Sequence, residues 1–200
     1  MKYHNICFLG QTGFGKSSLI NELFGTHFKT DPLVSCTKEL YSVSVIESNE
    51  GEPTFITVYD TPGIGEFSNS SKYQEYYNYA VSCADHIVLV VTLDRIDRTS
   101  QDLLESIKPY VKKEVKFTIA LNKIDSGGVG EKGLDAIAWD DDNNRPSNEW
   151  AERINKRIKI IEENYSESEY FHFLSIDRII PVCAMRKYGI EELKKQILNK

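Results

Sequence analysis

The sequence predicts a three-layer α/β domain, in which helices cover both faces of a six-stranded, mostly parallel sheet with one antiparallel edge strand. Three observations lead to this fold class. Six short apolar runs alternate with segments of helical periodicity, which is typical of parallel sheets with crossover helices. One pair of runs is joined by a connection too short for a crossover helix. The chain has 200 residues, enough to bury one core, so we expect residues 1–200 to form a single domain.

Each predicted element comes from a local pattern along the chain. The six strands are short runs rich in β-branched and aromatic residues: Tyr3–Leu9, Leu40–Ile46, Thr54–Tyr59, His86–Thr92, Val115–Leu121 and Ile179–Val182. The helices are segments whose apolar residues recur at helical spacing: Lys16–Phe24, Tyr73–Cys83, Gln101–Lys112, Glu149–Tyr165 and Glu191–Leu198. The turn-rich connection Glu47–Pro53 joins the second and third strands and predicts an antiparallel hairpin.

The segment Ser126–Asn148 is the least regular part of the chain. It mixes glycines, a run of acids and a proline, which predicts a long loop that is either functional or mobile, with room for a short helical turn around Leu134–Trp139. The acidic stretch Trp139–Asn143 lacks the spacing of a calcium loop, so we expect it to be solvated.

Composition and charge argue against several classes of function. The net charge is −6 and no basic cluster stands out, so we expect no DNA partner, and RNA or the ribosome is disfavoured. The four cysteines occur singly, which argues against a zinc site and a disulfide framework. No stretch approaches the roughly 20 apolar residues that a membrane span needs, so we expect a cytoplasmic protein.

A phosphate-binding motif lies between the first strand and the first helix. Residues 10–17 read GQTGFGKS, which matches the full G-x-x-x-x-G-K-S pattern. Backbone N–H groups of such a loop form an anion nest, and the helix N-terminus adds partial positive charge. We expect Lys16 to reach the β- and γ-phosphates, and the Ser17 hydroxyl is a ligand suited to Mg²⁺. The predicted nucleotide-binding residues of this segment are Gly10, Thr12, Gly13, Phe14, Gly15, Lys16, Ser17 and Ser18.

A second motif, DTPG at residues 60–63, closes the third strand. Ligands of open parallel sheets bind at the carboxyl ends of the strands, which places Asp60 beside the phosphate loop. We expect Asp60 to anchor Mg²⁺ through its hydration shell. The Gly63 N–H group is expected to reach the γ-phosphate, because glycine has no Cβ to obstruct that approach.

The third motif, NKID at residues 122–125, closes the fifth strand at the same edge of the sheet. The Asp125 carboxylate can accept hydrogen bonds from two N–H donors on a base, and guanine is the base that presents that pair. Adenine would leave the carboxylate facing an acceptor nitrogen, a mismatch that discriminates by orders of magnitude. GTP is therefore favoured over ATP.

These three motifs, in this order and spacing, resemble those of the translation-factor-related GTPases, and the resemblance covers nearly the whole chain. The segments SSLINELFG, DTPGIGE and CADHIVLVV, with a tryptophan-containing insertion after NKID, are similar to bacterial Era-type GTPases and to a branch related to immunity-related GTPases. The resemblance implies the fold of a P-loop nucleotide-binding G domain. It also implies that Asn122 ties the base loop to the phosphate loop and that the stem of Lys123 covers the guanine ring.

The same resemblance implies the two remaining motifs. Thr37, with Ser35 as a weaker candidate, matches a threonine that coordinates Mg²⁺ when GTP is bound. Cys183 and Ala184 match the last motif, in which a backbone N–H group touches the guanine oxygen. The expected metal ligands are thus Ser17, Thr37 and Asp60, and the residues expected to act in catalysis are Lys16, Thr37 and Gly63.

Hydrolysis needs a water molecule in line with the γ-phosphate, and the chain lacks the residue that commonly positions it. Ile64 stands where Ras-like relatives carry glutamine, so the chain resembles the hydrophobic-substituted branch and should turn over slowly. Glu66 or another loop residue, a partner protein, or a second copy across the nucleotides are the alternatives. Gly13 stands where potassium-activated relatives have asparagine, which does not support potassium activation. Arg95 and Arg98 fit exposed positions before a helix better than a catalytic role.

Two functions from different classes remain open at this point. The first is a GTPase in which GTP orders the loops Thr26–Lys38 and Gly63–Lys72 and hydrolysis releases them. The second is a nucleotide-gated binding module that hardly hydrolyses GTP and engages an unknown protein effector or a second copy of itself. Both predict Mg²⁺-dependent binding of guanine nucleotide, and turnover at raised protein concentration separates them.

Overall fold

The computed structural model describes residues 1–30, 39–49, 52–64, 71–93, 98–125, 139–167 and 176–198. Its strands are β1 (Lys2–Leu9), β2 (Tyr41–Asn49), β3 (Glu52–Asp60), β4 (His86–Thr92), β5 (Lys116–Asn122), β6 (Trp139–Asp140), β7 (Arg145–Pro146) and β8 (Ile176–Pro181). Its helices are α1 (Lys16–Phe24), α2 (Ser71–Cys83), α3 (Arg98–Ile107), α4 (Asn148–Glu167) and α5 (Ile190–Ile197), and a 3₁₀ turn at Lys108–Tyr110 follows α3.

Six of these strands form one sheet in the order β2-β3-β1-β4-β5-β8. β2 pairs antiparallel with β3 at one edge, and the other neighbouring strands pair in parallel. The predicted fold class is therefore confirmed, including the place of the antiparallel strand. The parallel pairing brings the carboxyl ends of β1, β3, β4, β5 and β8 to the same edge of the sheet.

Helices cover both faces of the sheet because strand side chains alternate between two buried clusters. Ile6 of β1 lies in the cluster that includes side chains of α1 and α5. Its neighbour Cys7 lies in the cluster that includes side chains of α2, α3 and α4. The central strand β4 is buried along its whole length. Within the described ranges, no helix is long and apolar enough to cross a membrane.

The predicted helix bounds are correct for α1 and wrong for α3. α3 runs from Arg98 to Ile107 instead of Gln101–Lys112, and the chain then tightens into the 3₁₀ turn. Pro109 explains the early end of the helix, because proline has no N–H group to continue the helical hydrogen bonds. The other predicted ends lie within three residues of the observed ones.

The prediction of a long loop at Ser126–Asn148 is wrong for its second half. Residues 139–146 form the antiparallel hairpin of β6 and β7, in which Trp139 pairs with Pro146. The hairpin turn is closed by Asp140, whose carboxylate accepts hydrogen bonds from the backbone N–H and side-chain amide of Asn143. Such side-chain closure is invisible to hydrophobic periodicity. Residues 126–138, and with them most of the predicted helical turn, lie outside the described residues.

Candidate functional site

The loop between β1 and α1, residues 10–15, lies at the carboxyl edge of the sheet. Its turns use left-handed backbone at Gly13 and Gly15, with φ of 79° and 87°. At Gly15 a Cβ atom would lie 2.6 Å from Asn122 Nδ2, so glycine is needed for the loop after β5 to approach. The loop ends where α1 begins, which directs the first N–H groups of the helix toward the same point. Ser18 lies in that first turn.

The Lys16 ammonium group is buried within this loop, and the residue is 6% exposed. Its Nζ donates hydrogen bonds to the carbonyl oxygens of Gly10, at 3.1 Å, and Gln11, at 3.3 Å. Burial lowers the pKa of Lys16, and the charge of Asp60 opposes that shift. The loop therefore holds a buried cation against its own carbonyl oxygens.

Ser17 and Asp60 lie side by side where α1 begins and β3 ends. The Ser17 hydroxyl donates to Asp60 Oδ2 at 2.5 Å, and Asp60 is fully buried. A hydroxyl oxygen and a carboxylate oxygen at this separation are hard donors of the kind that Mg²⁺ takes from proteins. The pair therefore fits a divalent cation.

The DTPG segment packs directly on the phosphate loop. Ile64 N–H donates to Gly10 O, and Thr12 N–H donates to Ile64 O, each at 3.3 Å. A Cβ atom at Gly63 would lie 2.1 Å from Thr12 Oγ1 and 2.6 Å from Thr12 N, which leaves room for glycine alone. The two segments therefore form one continuous surface.

Ile64 has a structural role that the sequence did not reveal. The residue is 7% exposed and belongs to the core cluster beneath α2. Tyr77 of that helix donates its hydroxyl to Pro62 O at 3.0 Å, so α2 fixes the same segment by a second contact. The hydrophobic residue at this position anchors the segment to the core.

Asn122 connects three loops at the sheet edge. Its Nδ2 donates to Phe14 O at 2.9 Å, and its Oδ1 accepts from Ala184 N–H at 3.3 Å. Asn122 and Phe14 are 1% and 3% exposed, so these contacts are shielded from water. Lys123 is exposed with φ of 58°, and its Cε lies 3.8 Å from the position a Gly15 Cβ would take. The stem of Lys123 therefore lies beside the phosphate loop.

The Asp125 carboxylate is held by the segment that follows β8. Its Oδ2 accepts a hydrogen bond from Arg186 Nε at 3.3 Å. Burial raises the pKa of the Cys183 thiol to about 11, and its hydrogen bond with Asp125 also raises it. The thiol therefore stays protonated at neutral pH and can donate to the carboxylate.

The two residues of the last predicted motif differ in their backbone contacts. Cys183 and Tyr188 exchange two backbone hydrogen bonds, with Cys183 N–H donating at 3.0 Å and Tyr188 N–H at 3.1 Å. The Cys183 N–H group is thus engaged in closing the turn between residues 183 and 188. The Ala184 N–H group faces Asn122 instead, at the same sheet edge as the other loops.

Two residues at this end were missed by the sequence analysis. Trp150 of α4 donates from its indole nitrogen to Ile124 O, which fixes the backbone of the base loop. Arg186 contacts Asp125 from the segment after β8. The available signals were weak: an aromatic residue near a helix start, and a basic residue two positions after the last motif.

Some predicted residues cannot be placed. Thr37 and Ser35, with the loop residues Glu66 and Arg95, lie outside the described residues, and Arg98 begins α3. The remaining predicted nucleotide-binding residues meet at the carboxyl edge of the sheet, where three loops share hydrogen bonds. The phosphate loop, the DTPG segment and the NKID segment therefore form one site.

A family model described as 50S ribosome-binding GTPase matches residues 5–123. The chain belongs to this GTPase family. The matched range holds the phosphate loop, the DTPG segment and Asn122, so the motifs that meet in the structure are also those that carry the family match. Asp125 and the described residues from 139 onward lie beyond it.

Similar proteins confirm the Era-type resemblance. The chloroplastic Era-like GTPase of Oryza sativa subsp. japonica is 23% identical, over 98% of this chain and 39% of that protein. A crystal structure of an Aquifex aeolicus Era variant bound to GDP·AlF4⁻ has a TM-score of 0.71 and 24% identity, over 100% of this chain and 57% of that one. A structure of Era with MgGDPNP and a segment of 16S ribosomal RNA has a TM-score of 0.70 and 23% identity, over 100% of this chain and 57% of that one.

At these identities the structural likeness shows the fold, which is that of a G domain. The chain spans 13–59% of the length of the curated relatives it matches. Each of these relatives therefore contains further sequence outside the part that this chain matches.

Proposed function

We propose that this GTPase binds GTP or GDP together with Mg²⁺ and hydrolyses GTP to GDP and phosphate slowly until a partner or a second copy activates it. The observation that carries the proposal is the meeting of three separate motifs at one sheet edge, with Lys16, Asp60 and Asn122 buried in linked loops. Burying a lysine and a carboxylate is costly even when both have hydrogen-bond partners, and such groups cluster at functional sites.

The phosphate end of the site binds through backbone and one cation. Backbone N–H groups of the phosphate loop and of the first turn of α1 hold the phosphate oxygens, and Lys16 offsets charge on the β- and γ-phosphates. Gly63 lies against Thr12 without a side chain in between, which allows its N–H group to reach the γ-phosphate. In hydrolysis these donors stabilise the charge that develops on the γ-phosphate oxygens.

Ser17 and Asp60, together with Thr37, would hold Mg²⁺. The ligand atoms would be two hydroxyl oxygens and a carboxylate oxygen. Ser17 Oγ already lies 2.5 Å from Asp60 Oδ2. When bound, the ion neutralises charge on the β- and γ-phosphate oxygens. The buried Asp60 sets the position of the Ser17 hydroxyl by accepting its hydrogen bond.

The base end selects guanine. Asp125 accepts hydrogen bonds from the N1–H and 2-amino groups, and the Ala184 N–H group exchanges its bond to Asn122 Oδ1 for one to the guanine oxygen when the base binds. Asn122 holds the base loop against the phosphate loop, and the stem of Lys123 covers one face of the ring. The position of Lys123 beside Gly15 supports that role.

Slow hydrolysis follows from Ile64. Its side chain packs in the core and has no polar atom, so it cannot orient the attacking water. The same observation favours the second candidate function, a nucleotide-gated module that binds a protein partner with negligible turnover of its own. The two functions share the nucleotide site and differ in whether a second protein surface completes it.

GTP turnover across a range of protein concentrations tests this proposal. A rate per molecule that rises with concentration, and that Lys16→Ala abolishes, supports a GTPase activated by its own second copy. Lys159→Ala is the matched control, because that lysine is exposed on α4 and lies outside the three loops of the site. A complete absence of turnover at every concentration supports the module instead.

The proposal extends to the setting of the protein. We place it in the cytoplasm as a single G domain spanning residues 1–200, with guanine nucleotide as ligand and a second copy or an unknown effector as partner. A net charge of −6 gives little attraction for RNA or DNA, so neither is proposed as a partner. The ribosomal RNA in the Era complex is a ligand of that protein.

A further inference from the structure

Arg186 lies on the turn between β8 and α5 and is held on three sides. Its Nε donates to Asp125 Oδ2 at 3.3 Å, and its Nη1 donates to Asp141 Oδ1 at 2.5 Å. Its guanidinium carbon lies 4.8 Å from the centre of the Trp139 ring. The planar guanidinium group thus bridges the base-reading carboxylate and the β6–β7 hairpin, which we define as residues 139–146.

The hairpin also holds the backbone around Arg186. Asn144 Nδ2 donates to Arg186 O at 3.0 Å, and the Trp139 ring meets the Tyr188 ring edge to face with centres 5.4 Å apart. Trp139 is 7% exposed, so this contact is a packed one. The hairpin therefore fixes the position of Arg186 by contacting the Arg186 side chain, the Arg186 carbonyl group and the nearby Tyr188 ring.

These contacts constrain the Asp125 carboxylate. Reading guanine requires both carboxylate oxygens to face the N1–H and 2-amino groups at once, which fixes the rotation of the carboxylate plane. The Arg186 Nε group and the Cys183 thiol occupy two of the roughly four lone-pair directions of the carboxylate and leave the remaining ones for the base. Trp139 and Asp141 set the orientation of the Arg186 guanidinium group. Arg186 in turn sets the orientation of the Asp125 carboxylate.

We infer that Arg186 is a positioning residue for guanine recognition and that the β6–β7 hairpin belongs to the base site by holding it. The inference rests on the proposed function, since it concerns the same site. It predicts a specific loss: without Arg186 the carboxylate keeps one hydrogen bond to N1–H but aligns poorly with the 2-amino group. Discrimination between guanine and hypoxanthine, which lacks that amino group, therefore depends on Arg186.

The test measures dissociation constants for GDP and IDP with the full chain and Mg²⁺. We expect the parent to prefer GDP, and Arg186→Ala to lower that preference roughly tenfold by weakening GDP while IDP changes little. Arg186→Lys keeps the charge without the planar fork and should behave like Arg186→Ala. Asp141→Asn removes the outer ion pair and should give a smaller loss in the same direction.

Arg145→Ala is the matched control, because Arg145 lies on the same hairpin and pairs with Asp140 instead of Asp125. It should leave the GDP to IDP ratio unchanged. An unchanged ratio in Arg186→Lys and Asp141→Asn, or equal weakening of both nucleotides, overturns the inference. If Arg186→Ala fails to fold, the two milder variants decide. A parent that binds neither nucleotide contradicts the proposed function itself, which separates the two failures.

Discussion

The two ends of the proposed nucleotide site are built in different ways. The phosphate end consists of backbone, two buried side chains, Lys16 and Asp60, and the half-buried Ser17, contributed by short segments next to β1 and β3. The base end consists of side chains that meet across long stretches of sequence, and its charged groups are partly exposed: the Arg186 and Asp125 side chains retain 34% and 23% of their surface. The phosphate end is thus more buried than the base end, which depends on the hairpin and on α4.

Substitutions at the two ends should therefore affect nucleotide binding differently. A change at the phosphate end disturbs a site with few alternatives, because backbone donors cannot be replaced by neighbouring side chains. We expect a change at the base end to alter selectivity more than total affinity, since the phosphates would still bind. Asn122 is the exception, because it belongs to both ends.

The largest effect is expected from Asp60→Asn at the phosphate end. The substitution removes the carboxylate charge that would help to hold Mg²⁺, that accepts the Ser17 hydrogen bond and that stabilises the buried Lys16 ammonium. We expect Mg²⁺-dependent GTP affinity to fall by about 100-fold or more, as for the loss of a charged group in a shielded site. Titration of labelled GTP with and without Mg²⁺ measures this. Asp102→Asn on the exposed side of α3 should bind like the parent, and normal Mg²⁺-dependent binding by Asp60→Asn would refute the metal site.

The next effect is expected from Asn122→Ala, which cuts the link between the two ends. It leaves the buried Phe14 carbonyl and Ala184 N–H without their partner, at about 1–3 kcal/mol of unfolding free energy. We expect GDP affinity to fall by about tenfold as both loops lose their alignment. Denaturant unfolding and GDP titration check both quantities. The control Asn78→Ala removes an amide that bonds to Gln74 on α2, and an equal loss there would show that the link is not specific.

A smaller effect on rate is expected from Ile64→Gln. Placing a glutamine at a position 7% exposed buries an amide in the core cluster, which costs about 1–3 kcal/mol of unfolding free energy. Because the side chain packs toward the core, the amide should not reach the γ-phosphate, and turnover should stay within about twofold of the parent. Single-turnover GTP hydrolysis measures this. A rate about tenfold faster would mean that the position faces the nucleotide, contrary to its packing.

The smallest effect concerns alkaline pH at the base end. Burial raises the pKa of Cys183 from 9.0 to about 11, so the folded chain keeps a proton that the unfolded chain releases above pH 9. This contribution to stability is fully present below pH 9 and is lost as the pH rises toward 11. Cys7 and Tyr59 also have raised pKa values and add to the decline. Melting temperatures from pH 8 to 10.5 should fall less steeply in Cys183→Ser, and identical slopes would contradict the prediction.

The same contrast explains what the sequence could predict. The phosphate loop, α1 and the β2–β3 hairpin depend on residues close in sequence, and their patterns predicted them. The β6–β7 hairpin depends on the Asp140 turn and on Trp139 packing against Tyr188, contacts that no periodicity encodes. Arg186 reaches Asp125 across 61 residues, so a scan of local motifs misses it. At Ile64 the sequence revealed only that a glutamine is missing. The burial of this side chain depends on packing with α2, which the local sequence does not show.

Guanine recognition is tested most directly by the binding of labelled GTP, XTP and ATP, with Mg²⁺, to the parent and to Asp125→Asn. The amide of the variant should accept from one position and donate to the other, which matches xanthine and mismatches guanine. We expect the parent to prefer GTP and the variant to prefer XTP, each by about 100-fold. Equal binding of ATP and GTP by the parent, or an unchanged preference for GTP in the variant, would contradict guanine recognition by Asp125.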